Sequence, residues 1–234
     1  MEFSYIKPLW HKLIKQNIDK FNINHKIDNI KVKIFPNKEH VFETFKYFDI
    51  DELKVVIIGQ DCYIGSIKKN NIIIPQANGI AFSVTTDHKI PPSLKNIYKE
   101  LNDTIDSFNI PSHGDLSRWV KEEKILLLNS ALTVEENKSG SHMKIWEPFT
   151  DMIIQEISLQ CNNIVFILWG NHSKSKLHLI DMNKHHVITG VHPSPLSAKP
   201  NKKGTDKSFF GHDYFNRTNV YLESKNKTKI NWSL

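Results

Sequence analysis

Cysteine is nearly absent: Cys62 and Cys161 are the only two in 234 residues. That rules out a disulfide framework, a four-thiolate zinc site and an iron–sulfur cluster held by four thiolates, and it suits a reducing compartment. Glycine is sparse at nine residues, and neither Gly-x-x-x-x-Gly-Lys nor Gly-x-Gly-x-x-Gly occurs, which argues against a phosphate-cradling nucleotide enzyme. No apolar run approaches membrane-spanning length, and Met1-Glu2-Phe3-Ser4-Tyr5 lacks the basic-then-apolar pattern of a secretion signal. The expectation is an intracellular protein without membrane partners, cytoplasmic or nuclear, or in a viral factory or virion if the source is viral. Sequons such as Asn137-Lys138-Ser139 then read as by-products of an Asn- and Lys-rich composition.

What is present describes one packed domain. Hydrophobic residues make up 39% and charged residues 24% of the chain, near ordinary globular values. The length suits a single α/β unit. A formal net charge of +6 makes a polyanionic partner plausible and favours nucleic acid only weakly.

Three short apolar runs, Val55–Ile58, Ile125–Leu128 and Ile164–Leu168, are continuous rather than alternating, which predicts buried parallel strands. A fourth strand is predicted at His186–Thr189. Helical spacing covers Ser93 to Ile105 and Trp146 to Leu159, and a closing helix is expected within Lys207–Tyr221. The fold class is therefore α/β, a single domain with a central four-stranded parallel twisted sheet flanked by helices. Residues 1–53 are expected to form a helical region packing on a catalytic core at 54–234. The polar stretch Ser66–Asn71 reads as a loop insertion, and Glu223–Lys229 as a solvated connector.

In open parallel sheets ligands bind beyond the carboxyl ends of the strands. The residues there are Gly59-Gln60-Asp61-Cys62-Tyr63, Asn129-Ser130, Trp169-Gly170-Asn171 and His192-Pro193-Ser194-Pro195-Leu196. An Asp, an Asn and a His are thereby placed to converge.

These segments, with Ala81-Phe82-Ser83-Val84 and Leu126-Leu127-Leu128-Asn129, resemble in content and order the family 1 uracil-DNA glycosylases. Ile90-Pro91-Pro92-Ser93-Leu94, Leu132-Thr133-Val134 and Phe209-Phe210-Gly211 are similar to that family as well. Any one segment could arise by chance; together they are specific. The resemblance implies hydrolysis of the bond between uracil and deoxyribose in DNA, with no metal and no cofactor.

The same resemblance implies roles residue by residue. Asp61 would stabilise the sugar cation and orient or deprotonate the attacking water, and His192, neutral, would donate to uracil O2 as the base departs. Asn129, donor and acceptor in one side chain, would read the O4 and N3 edge and reject cytosine. Phe82 would stack on the base, Tyr63 would exclude a thymine methyl, and the Gln60 backbone N–H would help to hold the base.

Leu196, apolar on a Ser- and Pro-flanked loop, would be the wedge that extrudes the base. Ser93, Ser194 and Ser197 would grip phosphates, His142 would lie near the DNA backbone, and Lys199, Lys202 and Lys203 would add salt-sensitive affinity. Bland alternatives stand beside each: a turn Asp, a strand-ending Asn, a core Phe in an apolar strand, a satisfied core His.

Four departures from the family pattern stand out. Cys62 replaces a proline, which predicts a looser loop beside Asp61. Ile64 replaces a histidine, several residues are inserted between Gly65 and Gln76, and Asn171 replaces a phosphate-contacting serine. The expected partner is uracil-containing DNA, single- or double-stranded, together with replication or repair proteins, and a monomer is expected. A rival reading is a non-catalytic DNA-bound partner of a polymerase, against which the intact Asp61 and His192 argue.

Overall fold

The computed structural model describes residues 5–106, 108–198 and 208–234. It opens with two helices, α1 (Pro8–Lys20) and α2 (Ile23–Asp28). Pro8 occupies the first helical position, where a missing N–H leaves no bond unmade. Trp10, Ile14 and Ile18 recur at helical spacing and are buried. The short strand β1 (Ile34–Phe35) and three single-turn 3-10 helices between Lys38 and Glu52 lead to the sheet.

Its first strand is β2 (Val55–Gly59), every residue of which is buried. A hairpin follows, β3 (Ser66–Lys69) and β4 (Ile72–Pro75), paired antiparallel. This corrects the loop expected at Ser66–Asn71. The turn is Asn70-Asn71, with φ of 51° and 62°, and two adjacent left-handed residues are what a two-residue hairpin turn requires. Next come α3 (Pro92–Thr104), α4 (Ser117–Lys121), β5 (Ile125–Asn129), β6 (Val134–Glu135) and α5 (Met143–Gln160). The chain ends with β7 (Val165–Trp169), α6 (Gly170–Lys174), β8 (His186–Gly190), α7 (Pro195–Ala198) and α8 (Tyr214–Ser224). The closing helix starts inside the window expected from the sequence and runs past it to Ser224. The stretch expected as a solvated connector begins inside this helix, and at Lys227 it is tied by an ammonium bond to Asn162 O, 3.1 Å.

The central sheet has the order β5-β2-β7-β8, and all three pairings are parallel. Continuous burial along β2, β5 and β7 is what the unbroken apolar runs encode, since both faces of these strands are covered. Helix α8 lies on β7 and β8, while α1 and α2 pack on α5. One apolar cluster joins Trp10, Phe45, Val56, Leu127, Trp146 and Phe166. Because the strands run parallel, Gly59 pairs with Asn129 and Trp169 with Gly190 at the same sheet edge.

Candidate active site

That edge opens into a cleft of about 260 Å³, lined by Gln60, Asp61, Tyr63, Phe82, Asn129 and His192. Ser93, one residue into α3, lines it too. Residues spread over 133 positions of sequence therefore share one concavity, because each follows a strand or abuts one.

Asp61 leaves the end of β2 and is held from outside the sheet. Its Oδ2 accepts from Ser139 Oγ at 2.7 Å and from the Gly140 backbone N–H at 2.6 Å. Ser139 also lines the cleft. In sequence Ser139 stands 78 residues from Asp61, in a sequon that carries no sign of this contact.

Asn129 ends β5 and is 6% exposed. Its carboxamide oxygen lies over Gly59, where a Cβ would stand 2.3 Å from Oδ1. Only glycine leaves that space. From the other side Asn129 Nδ2 donates to Cys62 Sγ at 3.6 Å, and the Cys62 thiol in turn reaches Ala131 O at 3.5 Å.

Burial pushes the Cys62 thiol up to about 12, so it is a neutral donor and acceptor rather than a nucleophile. The expected slackness of this loop is offset by those two sulfur contacts. Ile64 closes a small apolar cluster with Phe35, Cys62, Ala77 and Val134.

His192 follows β8. Its Nδ1 accepts from the Ser194 backbone N–H at 3.1 Å, so the proton of the neutral ring resides on Nε2. Burial lowers its pKa from the usual histidine value, which keeps the ring neutral at physiological pH. Gly170, at φ +88°, lets the chain pass close to this ring: a Cβ there would meet His192 Cβ at 2.9 Å.

Phe82 lies in a turn rather than in an apolar strand, and its φ is +63°. A bulky residue in the left-handed region is strained, and such strain concentrates at functional sites. The ring rests edge-on against Trp169, with centroids 5.8 Å apart, and lies 6.2 Å from the His192 ring. Tyr63 donates to Phe82 O at 3.4 Å, and burial raises its pKa.

A second recess, about 220 Å³, adjoins the first and shares Gln60 and His192 with it; Asn171 and His172 line it as well. Beyond His192, Leu196 on α7 is 98% exposed. Ser194 Oγ donates to Ser197 Oγ at 3.5 Å beside it. Lys199, Lys202, Lys203 and Lys207 lie outside the described residues.

His142 is not brought to the surface. It is 2% exposed. Trp146 Nε1 donates to Thr133 Oγ1 at 2.7 Å, and the Thr133 hydroxyl is left to donate to His142 Nδ1 at 2.8 Å. Its Nε2 is buried without a hydrogen-bond partner, 3.9 Å from Glu135 Oε1.

The model of the uracil DNA glycosylase superfamily matches residues 45–222. The chain belongs to that superfamily. It is 47% identical over 202 residues to a uracil-DNA glycosylase of Francisella tularensis subsp. novicida, spanning 86% of this chain and 84% of that one. A Vibrio campbellii uracil-DNA glycosylase is 42% identical over 234 residues, 97% of this chain and 96% of the relative. Among solved structures, mimivirus uracil-DNA glycosylase superposes with a TM-score of 0.88 at 33% identity, covering 97% of this chain and 87% of that chain. A variant of the same viral enzyme in complex with UGI gives 0.89 at 32% identity, covering 100% and 92%.

Proposed function

We propose that this member of the superfamily is a uracil-DNA glycosylase that extrudes deoxyuridine from DNA and hydrolyses its N-glycosidic bond, releasing free uracil and leaving an abasic site. The observation that carries this reading is the convergence of Gln60, Asp61, Tyr63, Phe82, Asn129 and His192 on one cleft. The product is an intermediate of base excision repair, and the enzyme is a hydrolase.

Breaking the C1′–N1 bond sends its electron pair to uracil N1 and leaves positive charge on the sugar. His192, with its proton on Nε2, donates to O2, over which the anion spreads. A ring that starts neutral gives up no charge-assisted bond in the ground state, so its hydrogen bond strengthens as charge develops. Asp61 faces the sugar. With Oδ2 engaged by Ser139 and Gly140, its other oxygen is the one that orients water toward C1′. The water oxygen bonds to C1′, and its proton passes to the carboxylate or to solvent.

Selectivity follows from the pocket floor and wall. Asn129 Nδ2 donates to O4 and its Oδ1 accepts from N3–H, an arrangement that cytosine reverses. Tyr63 occupies the space that a C5 methyl needs, and Phe82 stacks on the base. Leu196 fills the vacated place in the duplex stack, while Ser93, Ser194 and Ser197 hold phosphates.

The test is release of free base from oligonucleotides carrying one uracil, thymine or cytosine at the same position. The enzyme frees uracil alone. Binding of the uracil strand without base release at any enzyme concentration would leave only the scaffold reading.

A further inference from the structure

Leu196 holds its side chain 98% in solvent on a four-residue helix, and a wedge can separate stacked bases only if the backbone behind it resists recoil. Helix α3 supplies that resistance from one face. Ser93, Asn96 and Glu100, at spacings of three and four, share that face. Ser93 lines the cleft. Asn96 Nδ2 donates to Pro193 O at 2.7 Å, between His192 and Ser194. Glu100, fully buried, accepts three backbone N–H groups: Gly211 on Oε2 at 2.8 Å, and His212 and Asp213 on Oε1 at 3.1 and 3.0 Å.

The contacts at Glu100 are made by the turn that leads into α8: the Gly211 and His212 amides precede the helix and the Asp213 amide is that of its N-cap. Among the described residues no ion pair to Glu100 is formed, so these amides are what hold the carboxylate. The neck of the Leu196 segment is closed as well. Phe209 N and Ser208 Oγ both donate to Ala198 O, at 2.9 and 3.0 Å. The segment from Pro193 to Ala198 is therefore fixed ahead by Asn96 and behind, through Ala198 and Phe209, by Glu100.

Resting on the wedge reading of Leu196 above, we infer that Asn96 and Glu100 are positioning residues for base extrusion, which aim Leu196 at the duplex and take no part in bond cleavage. Their loss should matter where a stacked, paired base must be driven out. It should matter little where the uracil is already unpaired.

The experiment compares single-turnover uracil release from duplex and from single-stranded oligonucleotides of one sequence, for wild type, Glu100→Gln, Asn96→Ala and Leu196→Ala. Loss of one or two of these hydrogen bonds is expected to lower the duplex rate about tenfold while the single-strand rate stays within about twofold of wild type, at unchanged circular dichroism. Gln keeps the shape of Glu100 but replaces one acceptor oxygen with a donor. Should that variant fail to fold, Asn96→Ala removes a single bond and reads the same ratio.

Equal losses on both substrates mean a merely structural role and overturn the inference. So does an unchanged ratio in Asn96→Ala and Glu100→Gln when Leu196→Ala lowers it. If Leu196→Ala itself leaves the ratio unchanged, the wedge reading falls first, and this inference with it.

Discussion

At the scale of single residues, the tightest constraint is the contact between Gly59 and Asn129 across β2 and β5. A methyl group at Gly59 would stand 2.3 Å from Asn129 Oδ1, so Gly59→Ala must rotate the carboxamide off its seat. We expect uracil kcat/KM to fall by about tenfold or more, the value of one to two misplaced hydrogen bonds, with Tm little changed; a Gly59→Ala enzyme of normal rate would show that Asn129 does not read the base from this position. His192 makes a second prediction. Burial lowers its pKa, so its ring should titrate by NMR below the ordinary midpoint of about 6.5, and a midpoint above that would contradict the neutral electrophile. The convergence of Asp61, Asn129 and His192 was legible in sequence because each lies at or within two residues of the carboxyl end of a strand. Ser139 was not, since its role comes only from tertiary contact with Asp61, and the burial of His142 depends on Thr133 and Trp146 in the same way. Phe82 was legible as an aromatic but not as a strained turn residue, because φ leaves no trace in composition.

At the scale of elements, the hairpin of β3 and β4 is the part that the family pattern did not foretell. Its Ile72 and Ile73 are 65% and 47% exposed, so it buries little and its tip does no work for the core. Replacing residues 67–74 with a two-residue turn should move Tm by no more than about 4 °C, as for other surface changes, and leave uracil release within about threefold. A much larger fall in release at unchanged Tm would show that the hairpin shapes the cleft. The four central strands were readable to within a residue at each end; for β2, β5 and β7 this is because burial on both faces demands unbroken apolar runs, whereas β8 is only partly buried. The hairpin leaves little trace in the sequence, because its first strand is polar and its turn is Asn70-Asn71 rather than a glycine pair. The lead-in to α8 is set by tertiary contact, for the Gly211, His212 and Asp213 amides donate to Glu100, 111 to 113 residues away in sequence.

At the scale of the whole molecule, five histidines share one electrostatic consequence. Burial lowers the pKa of His142, His172, His185, His186 and His192, while a hydrogen bond to Glu43 raises that of His40. As pH falls below about 6.5, the unfolded chain takes up protons at the five lowered groups that the folded chain refuses. Stability therefore declines with acidification across that window, and His40 opposes the trend as one group against five. The urea midpoint at pH 5.5 should lie below that at pH 7.5, and equal or inverted midpoints would contradict this balance. Composition and periodicity could establish one α/β domain, but the strand order β5-β2-β7-β8 is a property of the whole chain that no local pattern encodes.

Asp61 and His192 act together on a uracil held by Asn129, and the single-turnover rate of uracil release by Asp61→Asn beside wild type, with affinity for the same oligonucleotide measured in parallel, tests this. Removing a positioned carboxylate that handles water should lower the rate by about 10² to 10⁴-fold while DNA affinity is retained. Release at the wild-type rate by Asp61→Asn would contradict the account.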